Sequence, residues 1–169
     1  MSIVYLKKLA VFVTLTILLI SCKKEVGPLS DIRPAIPVTV TNAEAFRPDP
    51  TVTASLSNGG MIKIVLSIPA NSGRSIKEIT KIAASTNYSA IQGIGNNIIY
   101  YTASPISASG TSYTFTTSIT EYFAKHPVVA VSNPAAAANT ELARRFYFLI
   151  TLDDNSVLVT TPIRILVVS

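Results

Sequence analysis

Apolar and polar residues alternate along much of the chain after residue 50, and the period is two. Val52, Ala54 and Leu56 alternate with Thr51, Thr53 and Ser55, and Asn58-Gly59-Gly60 follows. Ile62, Ile64, Leu66 and Ile68 then line one face, with Lys63, Val65 and Ser67 on the other, until Pro69 ends the run. Successive side chains of a strand point to opposite faces, so each run reads as a strand with one buried face. Asn-Gly between two such runs predicts a β-hairpin, because both residues tolerate positive φ. A second hairpin is expected at the end of the chain. Phe146, Phe148, Ile150 and Leu152 alternate with Tyr147, Leu149 and Thr151, and Asp153-Asp154-Asn155 supplies the turn. The return strand begins at Val157, is interrupted at Pro162, and resumes with Ile163, Ile165 and Val167 on one face. A proline inside a strand points to an edge or a bulge.

Between the hairpins, Ile98-Ile99-Tyr100-Tyr101-Thr102 and Tyr113-Thr114-Phe115-Thr116 are rich in strand formers. Two segments carry a different signal. Ser118-Ile119-Thr120-Glu121 has the S-x-x-E form of a capping box and precedes Tyr122-Phe123-Ala124-Lys125, which predicts a short helix ended by His126-Pro127. Ser75-Ile76-Lys77-Glu78 has the same form, with Ile76, Ile79 and Ile82 at spacing three. Ile and Thr crowd that segment, so residues 75–85 lie between helix and strand, and strand is the expectation.

Short strands joined by Gly, Pro, Asn and Ser turns predict an all-β domain over residues 51–169, a β-sandwich of about seven strands with one short helix. The order and lengths of these strands resemble an immunoglobulin-like or fibronectin type III-like domain. The resemblance is one of pattern: the chain has no tryptophan and one cysteine, so the Cys…Trp…Cys hallmark of true immunoglobulin domains is missing.

The beginning of the chain follows another pattern. Lys7 and Lys8 precede Leu9 to Ile20, which is apolar apart from Thr14 and Thr16, and Leu19-Ile20-Ser21-Cys22 closes the run. A basic start, a short apolar stretch and small residues before a cleavage point are the parts of a secretory signal. The run is shorter than the roughly 20 residues needed to span a bilayer. The Leu-x-Ser-Cys ending resembles the lipobox of bacterial lipoproteins. That resemblance implies a signal peptide over residues 1–21 and lipidation of Cys22 as the first mature residue. The anchor would bind the membrane through several acyl chains, each buried CH₂ contributing about 0.8 kcal/mol. The chain's one cysteine would be consumed, leaving no intramolecular disulfide. Cys22-Lys23-Lys24-Glu25 partly resembles the charged surface-export stretch of Bacteroidota lipoproteins, which implies an outer-membrane location with exposure at the cell surface. Residues 22–50 hold five of the ten prolines and read as a Pro-rich tether, with an edge strand available at Pro37 to Thr41.

Charge and chemistry narrow the function by exclusion. The formal charge of +5 falls when Lys7 and Lys8 are removed, leaving 12 basic against 9 acidic residues. With no run of Lys or Arg in the body, nucleic acid is not expected as a partner. His126 is the sole histidine and stands between a helix end and a proline, the ordinary place of a solvated helix-end histidine. No G-x-S-x-G elbow accompanies it, and no enzyme is expected. Asp153, Asp154 and Asn155 are candidate calcium ligands, although Asp and Asn are favoured turn residues in their own right and Ca²⁺ takes six to eight oxygens. Gln92-Gly93-Ile94-Gly95 does not extend to a dinucleotide fingerprint, one histidine and one lipidated cysteine make no zinc site, and no cofactor is expected. Tyr88, Tyr100 and Tyr101 are candidate ligand-binding rings, of which the adjacent pair Tyr100 and Tyr101 must face opposite ways in a strand. The expected role is a non-catalytic, lipid-anchored interaction or structural module of the cell envelope, whose partner is another envelope protein or a glycan. The alternative is a glycan-binding accessory of an outer-membrane uptake system.

Overall fold

The computed structural model describes residues 34–46, 48–93, 100–125 and 139–169. These form ten strands in three sheets with two short α-helices and a 3-10 turn at Ala70–Ser72: β1 (Thr39–Val40), β2 (Thr51–Ser55), β3 (Met61–Ser67), β4 (Ile76–Ser85), α1 (Ser89–Gln92), β5 (Ile106–Ser107), β6 (Ser112–Ser118), α2 (Ile119–Lys125), β7 (Thr140–Glu141), β8 (Arg145–Leu152), β9 (Val157–Val159) and β10 (Arg164–Val168). The sheets run β1-β3-β6, β2-β10-β7 and β5-β4-β8-β9, so the domain is all-β.

The C-terminal hairpin forms as its sequence predicts. β8 pairs antiparallel with β9, Ile150 opposite Leu158, and Asn155 takes the left-handed conformation at φ 64°. Pro162 falls where the return strand changes partners. Before it, β9 lies against β8, and after it β10 lies between β2 and β7. The break is sealed by Thr160, whose hydroxyl accepts the Phe148 N–H at 3.1 Å, and by Phe146, which exchanges backbone hydrogen bonds of 2.9 Å with Ile163.

The first expected hairpin does not form a ladder. The turn is tight, with Gly60 N–H donating to Ser55 O at 2.9 Å and positive φ at Gly59 and Gly60. Yet β2 pairs in parallel with β10, and β3 pairs with β1 and β6. The Asn58-Gly59-Gly60 turn therefore passes the chain from one sheet to another. Gly60 serves a second purpose, since a Cβ there would stand 3.2 Å from Ile119, and its carbonyl accepts the Ile119 N–H at 2.9 Å.

Residues 76–85 are strand β4, and the spacing of three has a structural cause. The pairing with β8 shifts between Ile76 and Glu78 and again between Ile79 and Lys81. Each shift inserts one extra residue on β4, as a β-bulge does. Ile76, Ile79 and Ile82 thus fall opposite Leu152, Ile150 and Phe148, three residues apart on one strand and two apart on the other. All six side chains are buried.

These apolar faces meet in one core. Ile62, Ile64 and Leu66 of β3, Val52 and Ala54 of β2, Ile165 and Val167 of β10, and the buried residues of β4 and β8 other than Ala83 and Tyr147 belong to one cluster. Phe115, Phe146, Phe148 and Tyr101 fill its centre with ring centroids 5.2 to 5.9 Å apart. Edge-to-face and tilted pairs of this kind contribute about 0.5–1.5 kcal/mol each beyond area burial. The helix expected after the capping box is α2, with the Ser118 hydroxyl accepting the Glu121 N–H at 3.1 Å. Within the Pro-rich segment, β1 is an edge strand with Val40 buried at 3% exposure. In the Tyr100–Thr102 stretch, Thr102 alone makes a β-bridge, to Ile82, and residues 98 and 99 lie outside the described residues.

Candidate functional site

β8 is buried on both faces. Its even-numbered residues enter the main core, while Tyr147 points the other way and is 2% exposed. A second cluster covers it: Ala83 of β4 and Ile91 of α1 are buried beside Tyr147, with Tyr100, Leu149 and Val159 packed around them. Tyr88, just before α1, rests edge-on against Tyr147 at 5.7 Å and is 42% exposed. The Tyr100 hydroxyl donates to Gly93 O at 3.1 Å, and the Lys81 ammonium stands 4.7 Å over the Tyr100 ring. A cation over a ring at a partly exposed site contributes about 0.5–1 kcal/mol. Tyr88 and Tyr100 thus border one small aromatic patch with an ammonium at its side, able to stack on a flat apolar ring and to pair with an anion.

Tyr101 takes no part in that patch. The expected strand does not form at these two residues, yet they part all the same: Tyr101 is 3% exposed in the main core, while Tyr100 packs on the second cluster. Its hydroxyl shares a hydrogen bond with the Thr117 hydroxyl, which donates in turn to a Glu121 carboxylate oxygen at 2.8 Å. Lys125 closes the ring of contacts, 3.2 Å from Glu121, donating to Tyr101 O at 2.9 Å and standing 4.4 Å over the Tyr101 ring. Burial pushes the Tyr101 phenol up to about 12, and the Thr117 hydrogen bond holds Glu121 below the ordinary carboxylate range. The group ties α2 to the Tyr101 segment, and its polar atoms are turned on one another.

The candidate calcium residues lie in the β8–β9 turn, and cations of the chain already meet them. Arg74 reaches Asp154 at 2.9 Å and Asp153 at 3.8 Å, and Lys77 donates to the Asn155 side-chain oxygen at 2.8 Å. The other Asp154 oxygen accepts from the Ser156 N–H at 3.0 Å and the Ser156 hydroxyl at 2.6 Å, which hold its carboxyl below the ordinary range. This arrangement closes a turn; a cation site needs oxygens converging on one point. Among the described residues no group of three or more His, Cys, Asp or Glu is placed to hold a metal ion.

Beside β2 and β3, where the sequence predicts a hairpin ladder, the chain leaves a gap instead. Asn42, Glu44, Val52, Thr53, Ser55, Asn58, Met61 and Lys63 line an open groove of about 450 Å³. Asn42 holds one wall, its amide donating to Lys63 O at 2.7 Å and accepting from the Val65 N–H at 2.9 Å. Glu44 accepts from the Thr53 hydroxyl at 2.5 Å on the other wall. Its signal in the sequence is the polarity of Thr53 and Lys63 at alternating positions, which any solvated strand face shares.

Cys22, His126 and Gly95 lie outside the described residues. Among the described residues no helix is long and apolar enough to cross a membrane. No known protein family, curated protein or solved structure matches this chain.

Proposed function

We propose that this chain is a bacterial lipoprotein of the cell envelope acting by contact. Residues 1–21 are a signal peptide, Cys22 carries the lipid, and an immunoglobulin-like or fibronectin type III-like sandwich presents a non-catalytic interaction or structural surface. The observation that carries this reading is Lys7-Lys8, a short apolar run and Leu19-Ile20-Ser21-Cys22 in sequence. Support comes from a body whose apolar residues are gathered into sheet cores, and from hydroxyl and carboxylate groups around Tyr101 that bond to each other. The outer membrane, with exposure at the surface, is the proposed location on the partial likeness of Cys22-Lys23-Lys24-Glu25 to Bacteroidota export signals. Radiolabelled palmitate incorporation and membrane fractionation test the anchor. Label and retention should both be lost in Cys22→Ser, and retention unchanged in that variant would overturn the reading.

A second reading, a glycan-binding accessory of an outer-membrane uptake system, is favoured by one observation: the exposed Tyr88 ring beside the Tyr100–Lys81 pair. Glycan-array binding that disappears in Tyr88→Ala and persists in Tyr101→Phe would establish it. An array without binding, at protein concentrations that saturate a control lectin, would remove it.

A further inference from the structure

β3 has β6 along one edge and little along the other. Its odd-numbered residues direct their backbone groups to that second edge, where Thr41 N–H donates to Val65 O at 2.9 Å. β1 ends after two residues, and the Asn42 side-chain amide then stands in for one peptide unit of a neighbouring strand, giving N–H to Lys63 O and C=O to Val65 N–H. Beyond Asn42 the chain turns away, with Ala43 N–H on Val40 O at 3.3 Å and Glu44 N–H on Thr51 O at 2.8 Å. The Lys63 N–H, the Met61 C=O and the Met61 N–H are then left without a partner among the described residues. They face the groove, whose opposite wall is β2 with Thr53.

We propose that this edge is a docking site for an extended peptide segment of a partner protein, which prolongs the line of β1 antiparallel to β3. The inference rests on the interaction-module reading and names the chemistry of the partner. Strand addition supplies main-chain hydrogen bonds for affinity and side-chain contacts for choice. The first docked residue lies opposite Lys63 and offers its C=O to the Lys63 N–H. Its own N–H has no role, because Lys63 O already holds Asn42. The residue two further on lies opposite Met61 and exchanges both its N–H and C=O with that residue. Residues directly opposite on one face interact through their side chains. Lys63 therefore selects an acidic residue at the first position, and Met61, 56% exposed, selects an apolar one at the second. The recognised pattern is acidic-x-apolar, read from N to C.

The test uses the full chain, labelled with ¹⁵N, and the acetylated, amidated peptide Thr-Thr-Glu-Thr-Leu-Thr-Thr. Amide shifts should concentrate at Met61, Lys63 and Thr53. N-methylation at Leu should weaken binding by roughly tenfold or more, whereas N-methylation at Glu should leave it unchanged. Lys63→Glu should weaken the Glu peptide by about fivefold and tighten its Lys counterpart by a similar factor, a reversal that a folding defect does not produce. Absence of binding, shifts away from β3, or equal effects of the two N-methyl groups would each overturn the proposal. The broader reading is tested separately by in-cell cross-linking. A partner cross-linked elsewhere on the body, with a silent β3 edge, would keep that reading and discard this one.

Discussion

Asn58-Gly59-Gly60 and Asp153-Asp154-Asn155 are turns of similar chemistry, each joining two alternating apolar runs. The second closes a hairpin in which β8 and β9 are hydrogen-bonded neighbours. The first delivers β2 to β10 in one sheet and β3 to β6 in another. The local geometry is alike: both turns place residues at positive φ and both are held by short backbone bonds. Turn chemistry therefore reverses the chain without choosing the ladder. That choice belongs to the strands that compete for each edge, and β2 pairs along its whole length with β10, from Thr51 opposite Arg164 to Ser55 opposite Val168.

The comparison breaks most visibly at β10. The Leu56 N–H donates to Val168 O and the Arg164 N–H to Pro50 O, so the even-numbered amides of β10 serve β2. Leu166→Pro should remove one of them and leave its acceptor on β2 unpaired, at a cost of up to about 3 kcal/mol. Hydrogen exchange should then show Val52 and Ala54 losing protection while Ile64 keeps its own. Loss at Ile64 equal to that at Val52 would mean that β2 and β3 depend on each other as hairpin strands do.

Gly60→Ala against Gly59→Ala separates turn strain from tertiary contact. Both residues have positive φ, but an added Cβ meets Ile119 only at Gly60. A non-glycine residue in the left-handed region costs about 1 kcal/mol at Gly59, and the contact should bring Gly60→Ala to about 2 kcal/mol in denaturant melts. Equal losses would show that α2 does not lean on this turn.

In the hairpin turn the positive φ falls on Asn155, which tolerates it. Asn155→Ala should cost about 1 kcal/mol through the left-handed backbone and the lost Lys77 bond. Asn155→Gly should stay within about 0.5 kcal/mol of the parent, since glycine adopts that φ freely. Melting curves in which both variants lose the same stability would assign the effect to the Lys77 contact alone.

The smallest effects are those of pH on the region behind the first turn. Glu121 is held below its ordinary value of 4.5, so its contribution is present above that value and fades as pH falls through the lower folded one. Tyr101 is raised from 10.0 to about 12, so its contribution is complete below pH 10 and lost as pH rises through about 12. Tyrosinate absorbance should contain a late-ionising component that Tyr101→Phe removes, and acid should loosen the α2 amides earlier in Thr117→Val. A titration unaltered by Tyr101→Phe would contradict the burial of this phenol.

Much of the fold was legible in particular residues. Ser118 and Glu121 announced α2, Pro162 marked the change of partner in the last strand, and the alternation from Phe146 to Leu152 marked a strand with one face in the core. The candidate sites were less legible. Nothing local distinguishes exposed Tyr88 and half-buried Tyr100 from Tyr101 in the core, because burial depends on what packs above each face. Arg74 and Lys77, which meet the oxygens of the Asp153–Asn155 turn, come from a segment far away in sequence.

The sequence by itself determined where the longer strands form, which of their faces are apolar and where the chain reverses between them, because these follow from side-chain period and backbone freedom over a few residues. The tertiary structure decided which strands are neighbours. It turned a spacing of three at Ile76, Ile79 and Ile82 into a bulged strand, moved β2 from β3 to β10, and left an open edge beside Lys63. Pairing depends on long-range competition for hydrogen bonds and on filling one core, and neither is written in any short window of residues.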